Sequence, residues 1–200
     1  MKNRLFIVIA LVLIIIIYMT RVIKINSKMS YPVTVEYTSN QNVPIECDYF
    51  DNSYENMDGY SVRVSETQLF TAYEFSSNYD VDNMGDIKPE DYILLIRTVF
   101  INDDNDYKER AGINLHQYIL QESSYICFPE RNLYGIVNGF DSMAFSLRKH
   151  SEFEIIIPYR INSDHININR IKNENPKLVV SLYPHKKSIN LMEVKCKAEK

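Results

Sequence analysis

Asn102-Asp-Asp-Asn-Asp106 puts five oxygen-bearing side chains on one short stretch, the ligand chemistry a hard cation such as Ca²⁺ requires. An EF-hand loop counted from Asn102 needs Gly at its sixth place and Glu at its twelfth, but Tyr107 and Ile113 stand there. A solvated Asx-rich turn is therefore the expectation. His116, His150, His165 and His185 are dispersed, without an HExxH pattern or a pair four residues apart. No nucleophile elbow, phosphate loop or dinucleotide fingerprint occurs. Cys47, Cys127 and Cys196 are odd in number and lack CxxC spacing. One pair could bridge in an oxidising compartment, with buried unpaired thiols as the competing reading. Glu152 and Glu154 lie two apart on a predicted strand, so they share a face and are expected in solvent. These residues assemble no catalytic set, cofactor site or metal site, and the chain is not read as an enzyme. A hydrolase would need convergent polar groups in a pocket.

Charge is the remaining chemistry. Residues 1–28 carry five basic side chains and no acid, while residues 29–171 carry ten basic against twenty-three acidic ones, or −13. Such a body repels nucleic acid and attracts cations or basic peptides. Asp51, Glu55, Asp58, Asp103, Asp104 and Asp106 are the candidate acidic binding face, set among tyrosines such as Tyr54, Tyr60 and Tyr107. Tyrosine beside carboxylates suits recognition of basic or aromatic peptides, although strand and core packing accounts for most of the 15 tyrosines.

The elements that would carry this face begin with LFIVIALVLIIIIYM, an uncharged run from Leu5 to Met19. Fifteen helical residues rise roughly 22 Å, short of a ~30 Å hydrocarbon core. Letting Arg21 snorkel extends the span to Ile23. Bulky, basic Tyr-Met-Thr-Arg-Val-Ile-Lys follows in place of a small-residue cleavage site, so an uncleaved anchor is favoured over a cleaved signal. The expected organisation is a transmembrane anchor over 1–23, a linker over 24–30 and an extracytoplasmic domain over 31–200. A short basic leader before a long domain places residues 30–200 outside the cytoplasm, on a single-pass protein of the cell membrane.

Beyond the linker, period two dominates. Val33, Val35 and Tyr37 face one way, and Tyr60, Val62 and Val64 repeat the pattern after a polar loop at Asp51–Asp58. Residues 66–77 break it, and Ser65 with Gln68 predicts a short capped helix. Tyr92–Ile101 is the most apolar run of the body and reads as a central strand covered on both faces. Shorter strands are expected near Val43–Phe50, Ile113–Leu120, Tyr125–Phe128, Met143–Leu147, Phe153–Tyr159, Ile166–Ile168 and Leu178–Tyr183. Short strands divided by polar turns predict a mainly β, antiparallel sandwich.

The apolar helix, Asp58-Gly-Tyr-Ser-Val-Arg-Val64, Phe100-Ile-Asn-Asp103, Ile156-Ile-Pro-Tyr159 and Ser181-Leu-Tyr-Pro-His-Lys-Lys-Ser-Ile189 together resemble an uncharacterised family of single-pass, membrane-tethered proteins from low-GC Gram-positive bacteria. That resemblance implies an immunoglobulin-like extracytoplasmic domain and no known activity or site residues. The expectation is thus a membrane-anchored binding or accessory module for a cationic peptide or protein, without a nucleic-acid partner. The alternative is a structural subunit of a transporter or sensor complex, assembled through its N-terminal helix.

Overall fold

The computed structural model describes residues 2–26, 32–106, 112–169, 176–191 and 195–196, with side chains omitted for 2–10, 25–26 and 195–196. The chain forms two units, residues 1–32 and 33–200. The first is helix α1 (Lys2–Asn26), whose large apolar side chains from Leu11 to Met19 are all exposed. Among the described residues no helix is long and apolar enough to cross a membrane. The first part of the expected span, Leu5–Ala10, lies outside the described side chains, and so does most of the linker.

The second unit is mainly β, with two five-stranded sheets arranged as a sandwich. One contains β1 (Val33–Thr38), β6 (Leu120–Gln121), β7 (Ile126–Cys127), β10 (Lys177–Ser181) and β11 (His185–Asn190), ordered β1-β11-β10-β6-β7. The other is ordered β12-β3-β4-β9, from β3 (Met57–Thr71), β4 (Tyr92–Asn102), β9 (Ser151–Ile161) and β12 (Lys195–Cys196). β2 (Val43–Glu46) pairs with the start of β3. A small ladder joins β5 (Ile113–Asn114) to β8 (Ala144–Phe145). The expectation of wholly antiparallel pairing is corrected at two places, since β1 runs parallel to β11 and β12 parallel to β3.

β4 is the centre of its sheet, as its apolar run predicts. Leu94, Ile96 and Phe100 point between the sheets with Ile155, Ile157 and Tyr159 of β9 and with Leu178, Val180 and Ile189 of the opposite sheet. Ile93 and Leu95 point the other way, into a second cluster with Phe70, Phe75 and Leu133. Two helices supply that outer cover, α2 (Ala72–Tyr79) and α3 (Arg131–Asn138).

Four differences from the sequence-based expectations have local causes. The break in alternation after Val64 is a β-bulge at Ser65, after which β3 continues to Thr71. The helix starts six residues later than predicted, where Thr71 and Glu74 form a reciprocal capping box. α3 went unpredicted because eight residues are too few to display helical periodicity. Its signals are Glu130 at the N-cap and Gly139 at the C-cap, with φ +75°. Finally, Ile166–Ile168 forms no strand. The Asn162 carbonyl accepts from His165 and Ile166, and Asn167 Oδ1 accepts from the Asn169 N–H, so turn bonding outcompetes the β-branched side chains.

Candidate functional site

Four of the six predicted acidic residues meet at one end of the β3–β4 pair. Asn102, fully buried, ends β4 and organises the loop after it. Its Oδ1 accepts from the Asn105 N–H at 2.8 Å, and its Nδ2 donates to the carbonyls of Asn105 (2.8 Å) and Leu147 (2.9 Å). Asn105 Nδ2 in turn donates to the carbonyls of Asn56 and Asp58, at 3.1 and 2.7 Å. The Asp103 N–H reaches the Gly59 carbonyl at 2.9 Å. Gly59 has φ +85°, and a Cβ there would stand 2.8 Å from the Asn105 nitrogen, so only glycine lets the start of β3 touch the loop after β4. These bonds hold Asp58, at the start of β3, beside the loop after β4 that carries Asp103, Asp104 and Asp106, and all four side chains are exposed.

Asp104 already takes a cation. It pairs with the Lys149 ammonium, and that hydrogen bond holds its carboxyl below the usual carboxylate range while Asp104 raises the lysine. Asp51 and Glu55 belong to a neighbouring turn. Glu55 accepts from the N–H groups of Phe50, Asp51 and Asn52 at 3.0–3.1 Å, so its carboxylate closes its own loop. Asp51 accepts from Gln117 Nε2 at 2.7 Å. Glu152 and Glu154 are exposed, as expected; Glu154 shares Arg97 with Glu66 across three strands, at 2.7 and 3.4 Å.

A buried ionic cluster was not anticipated. Lys187, 3% exposed, lies between the sheets with Nζ 2.6–2.7 Å from Glu46 Oε2, Asp48 Oδ2 and the Pro44 carbonyl. Asp48 is fully buried, and its Oδ1 accepts from the His185 N–H at 3.2 Å and lies 2.9 Å from His185 Nδ1. Burial works to lower the Lys187 pKa, but the hydrogen bonds from Asp48 and Glu46 outweigh it and leave the ammonium raised. The available signal was parity, because Lys187 occupies an inward place in step with Ile189 and Leu191. A second buried carboxylate, Asp91, accepts from the Ser163 and Lys88 N–H groups and from Arg160 Nε, at 2.9–3.1 Å. Burial raises it, yet those bonds together hold it below the ordinary range.

The two described thiols differ in access. Cys47 is exposed and Cys127 buried, and both are free thiols. Burial pushes the Cys127 thiol up to about 11. The Cys196 side chain lies outside the described residues. Among the described residues no group of three or more His, Cys, Asp or Glu could hold a metal ion. An open groove of about 250 Å³ lies on the outer face of the first sheet. Its polar side chains largely satisfy one another, with Lys177 on Glu36 at 2.5 Å and Lys186 on Gln121 at 2.6 Å.

The fold and this surface define a mainly β, two-sheet domain with a rigidly braced, carboxylate-bearing end. The chain belongs to the family described as a domain of unknown function, DUF5028, which matches residues 34–187. No curated protein and no solved structure matches the chain.

Proposed function

We propose that this protein is a membrane-anchored, extracytoplasmic binding module that captures a basic peptide or protein on its acidic end, and that it performs no catalysis. The observation carrying this reading is the bracing of Asp58, Asp103, Asp104 and Asp106 by buried Asn102 and Asn105. A backbone fixed by buried amides leaves only the carboxylate side chains to be ordered when a cation arrives. Lys149 on Asp104 illustrates the contact a partner's lysine would make. The anchor rests on the uncharged run from Leu5 to Met19, extended to Ile23, and on the exposed apolar side chains of Leu11–Met19, which water does not accommodate. The outside location and the immunoglobulin-like character of the body belong to the same proposal, supported by Lys2 and Arg4 ahead of the apolar run and by the two facing sheets.

The test uses the full chain in lipid nanodiscs and a lysine-rich peptide. Binding should weaken steeply between low salt and about 0.5 M, where the Debye length falls to a few ångströms. It should weaken again when Asp58, Asp103 and Asp106 are changed to Asn together. Absent or salt-insensitive binding refutes the reading. A second reading, a structural subunit of a membrane complex, is favoured by the absence of a polar face along Leu11–Met19. Replacing residues 5–23 with an unrelated apolar helix would then abolish co-purification of the complex, whereas peptide capture would survive.

A further inference from the structure

β9 forms one edge of its sheet, and among the described residues that edge is only half covered. At Ile156 the Asn138 side chain imitates a neighbouring strand. It accepts from the Ile156 N–H at 3.0 Å and donates to the Ile156 carbonyl at 2.8 Å. Two residues further, the Glu130 N–H donates to the Pro158 carbonyl at 2.8 Å. Outward hydrogen-bonding positions recur every second residue along an antiparallel strand, so the backbone groups of Glu152 and Glu154 also face outward. Among the described residues nothing bonds to them there.

The side chains along this bare stretch alternate in chemistry. Glu152 and Glu154 project on the face that carries Arg97. Phe153 projects on the other, 38% exposed, against Phe145 at 5.5 Å and the half-exposed Phe140 at 6.1 Å. Ser151 pairs with Asn102, so the stretch starts at the acidic end itself. A second copy of the chain is a poor occupant, because antiparallel self-pairing would set Glu152 and Glu154 against their own counterparts.

We propose that the edge of β9 at Glu152–Glu154 receives an extended segment of the partner as an added strand, its basic side chains over the two glutamates and its apolar ones over Phe153 and Phe140. Backbone hydrogen bonds then supply affinity, and the alternating pockets supply sequence preference. This rests on the reading of a basic partner and adds how that partner is held.

The experiment measures binding of an octapeptide of alternating Lys and Val to the full chain in nanodiscs. It is compared with the same peptide N-methylated at the odd positions, N-methylated at the even positions, or rearranged into a Lys block and a Val block. Methylation in one register should cost about tenfold or more through lost edge hydrogen bonds, while the other register is tolerated. The block peptide should bind more weakly, and Phe153→Ser should erase the preference for alternation. Equal binding of all four peptides overturns the added strand and leaves electrostatic capture intact. No binding by any of them at low salt overturns both. Because the deciding comparison alters only the peptide, its result does not depend on a variant folding.

Discussion

Replacing Lys187 by Met retains most of the stem that crosses the core and deletes the ammonium. The lost contacts are those to Asp48 Oδ2 at 2.7 Å, Glu46 Oε2 at 2.6 Å and the Pro44 and Ile45 carbonyls at 2.7 and 3.2 Å. Asp48 has no exposed surface and would keep its charge without its cation. Breaking a buried pair from one side costs about 3–5 kcal/mol. For a body of this size, each kcal/mol lowers Tm by about 2–4 °C, so a fall of about 6–20 °C is expected. Urea denaturation of the full chain in mild detergent, followed by tyrosine fluorescence because Trp is absent, measures the loss directly. Adding Asp48→Asn to Lys187→Met removes the stranded charge and should recover more than about 1 kcal/mol, a coupling that a double-mutant cycle isolates. Glu46→Gln, at a carboxylate 59% exposed, should change stability by less than about 1 kcal/mol. A loss below about 1 kcal/mol for Lys187→Met, or strict additivity with Asp48→Asn, would refute the account of this cluster as a mutually dependent buried network.

Three further outcomes follow from other parts of the body. Asp91 is held below its unfolded pKa, so it stabilises the fold above about pH 4 and that contribution is lost as pH falls through the lower folded value; Asp91→Asn should flatten the acid limb of a stability–pH curve, and an unchanged limb counts against it. Gly59→Ala forces a Cβ to 2.8 Å from the Asn105 nitrogen at a φ of +85°, which should cost about 1–3 kcal/mol and weaken peptide capture together; full stability with full binding would show that β3 and the loop after β4 need not touch. In a Cys196→Ser background, a maleimide at neutral pH should label exposed Cys47 within minutes and spare Cys127 until the chain unfolds, since burial raises the latter thiol to about 11; fast double labelling would contradict that burial.

How much could be read from the chain depended on which force set each element. β4 was legible because a strand covered on both faces must be apolar throughout, and Tyr92–Ile101 is. Tyr60, Val62 and Val64 were legible because one face of β3 is buried, although the bulge at Ser65 then shifted the phase and imitated a helix. β11 was missed because His185-Lys-Lys-Ser reads as a solvated turn; Lys187 is tolerated inside only because Asp48 and Glu46, about 140 residues earlier, arrive to neutralise it. The same limit applies to the acidic face. Local composition found Asp58, Asp103, Asp104 and Asp106, yet only tertiary structure shows that buried Asn102 and Asn105 unite them. It also shows that Glu55 is committed to backbone N–H groups of its own turn.

The parallel pairing of β1 with β11 has a mechanical consequence. β1 is the first strand after α1, and it meets β11 in register from Val33 opposite His185 to Thr38 opposite Asn190. A pull on the chain ahead of Val33, when directed along β1, enters the body at that residue. The bonds of that ladder are then loaded together in shear rather than opened one after another from an end. For the tethered, partner-gripping module proposed above, load arriving at Val33 would pass into this strand pair, and the six-residue ladder would resist it as a unit.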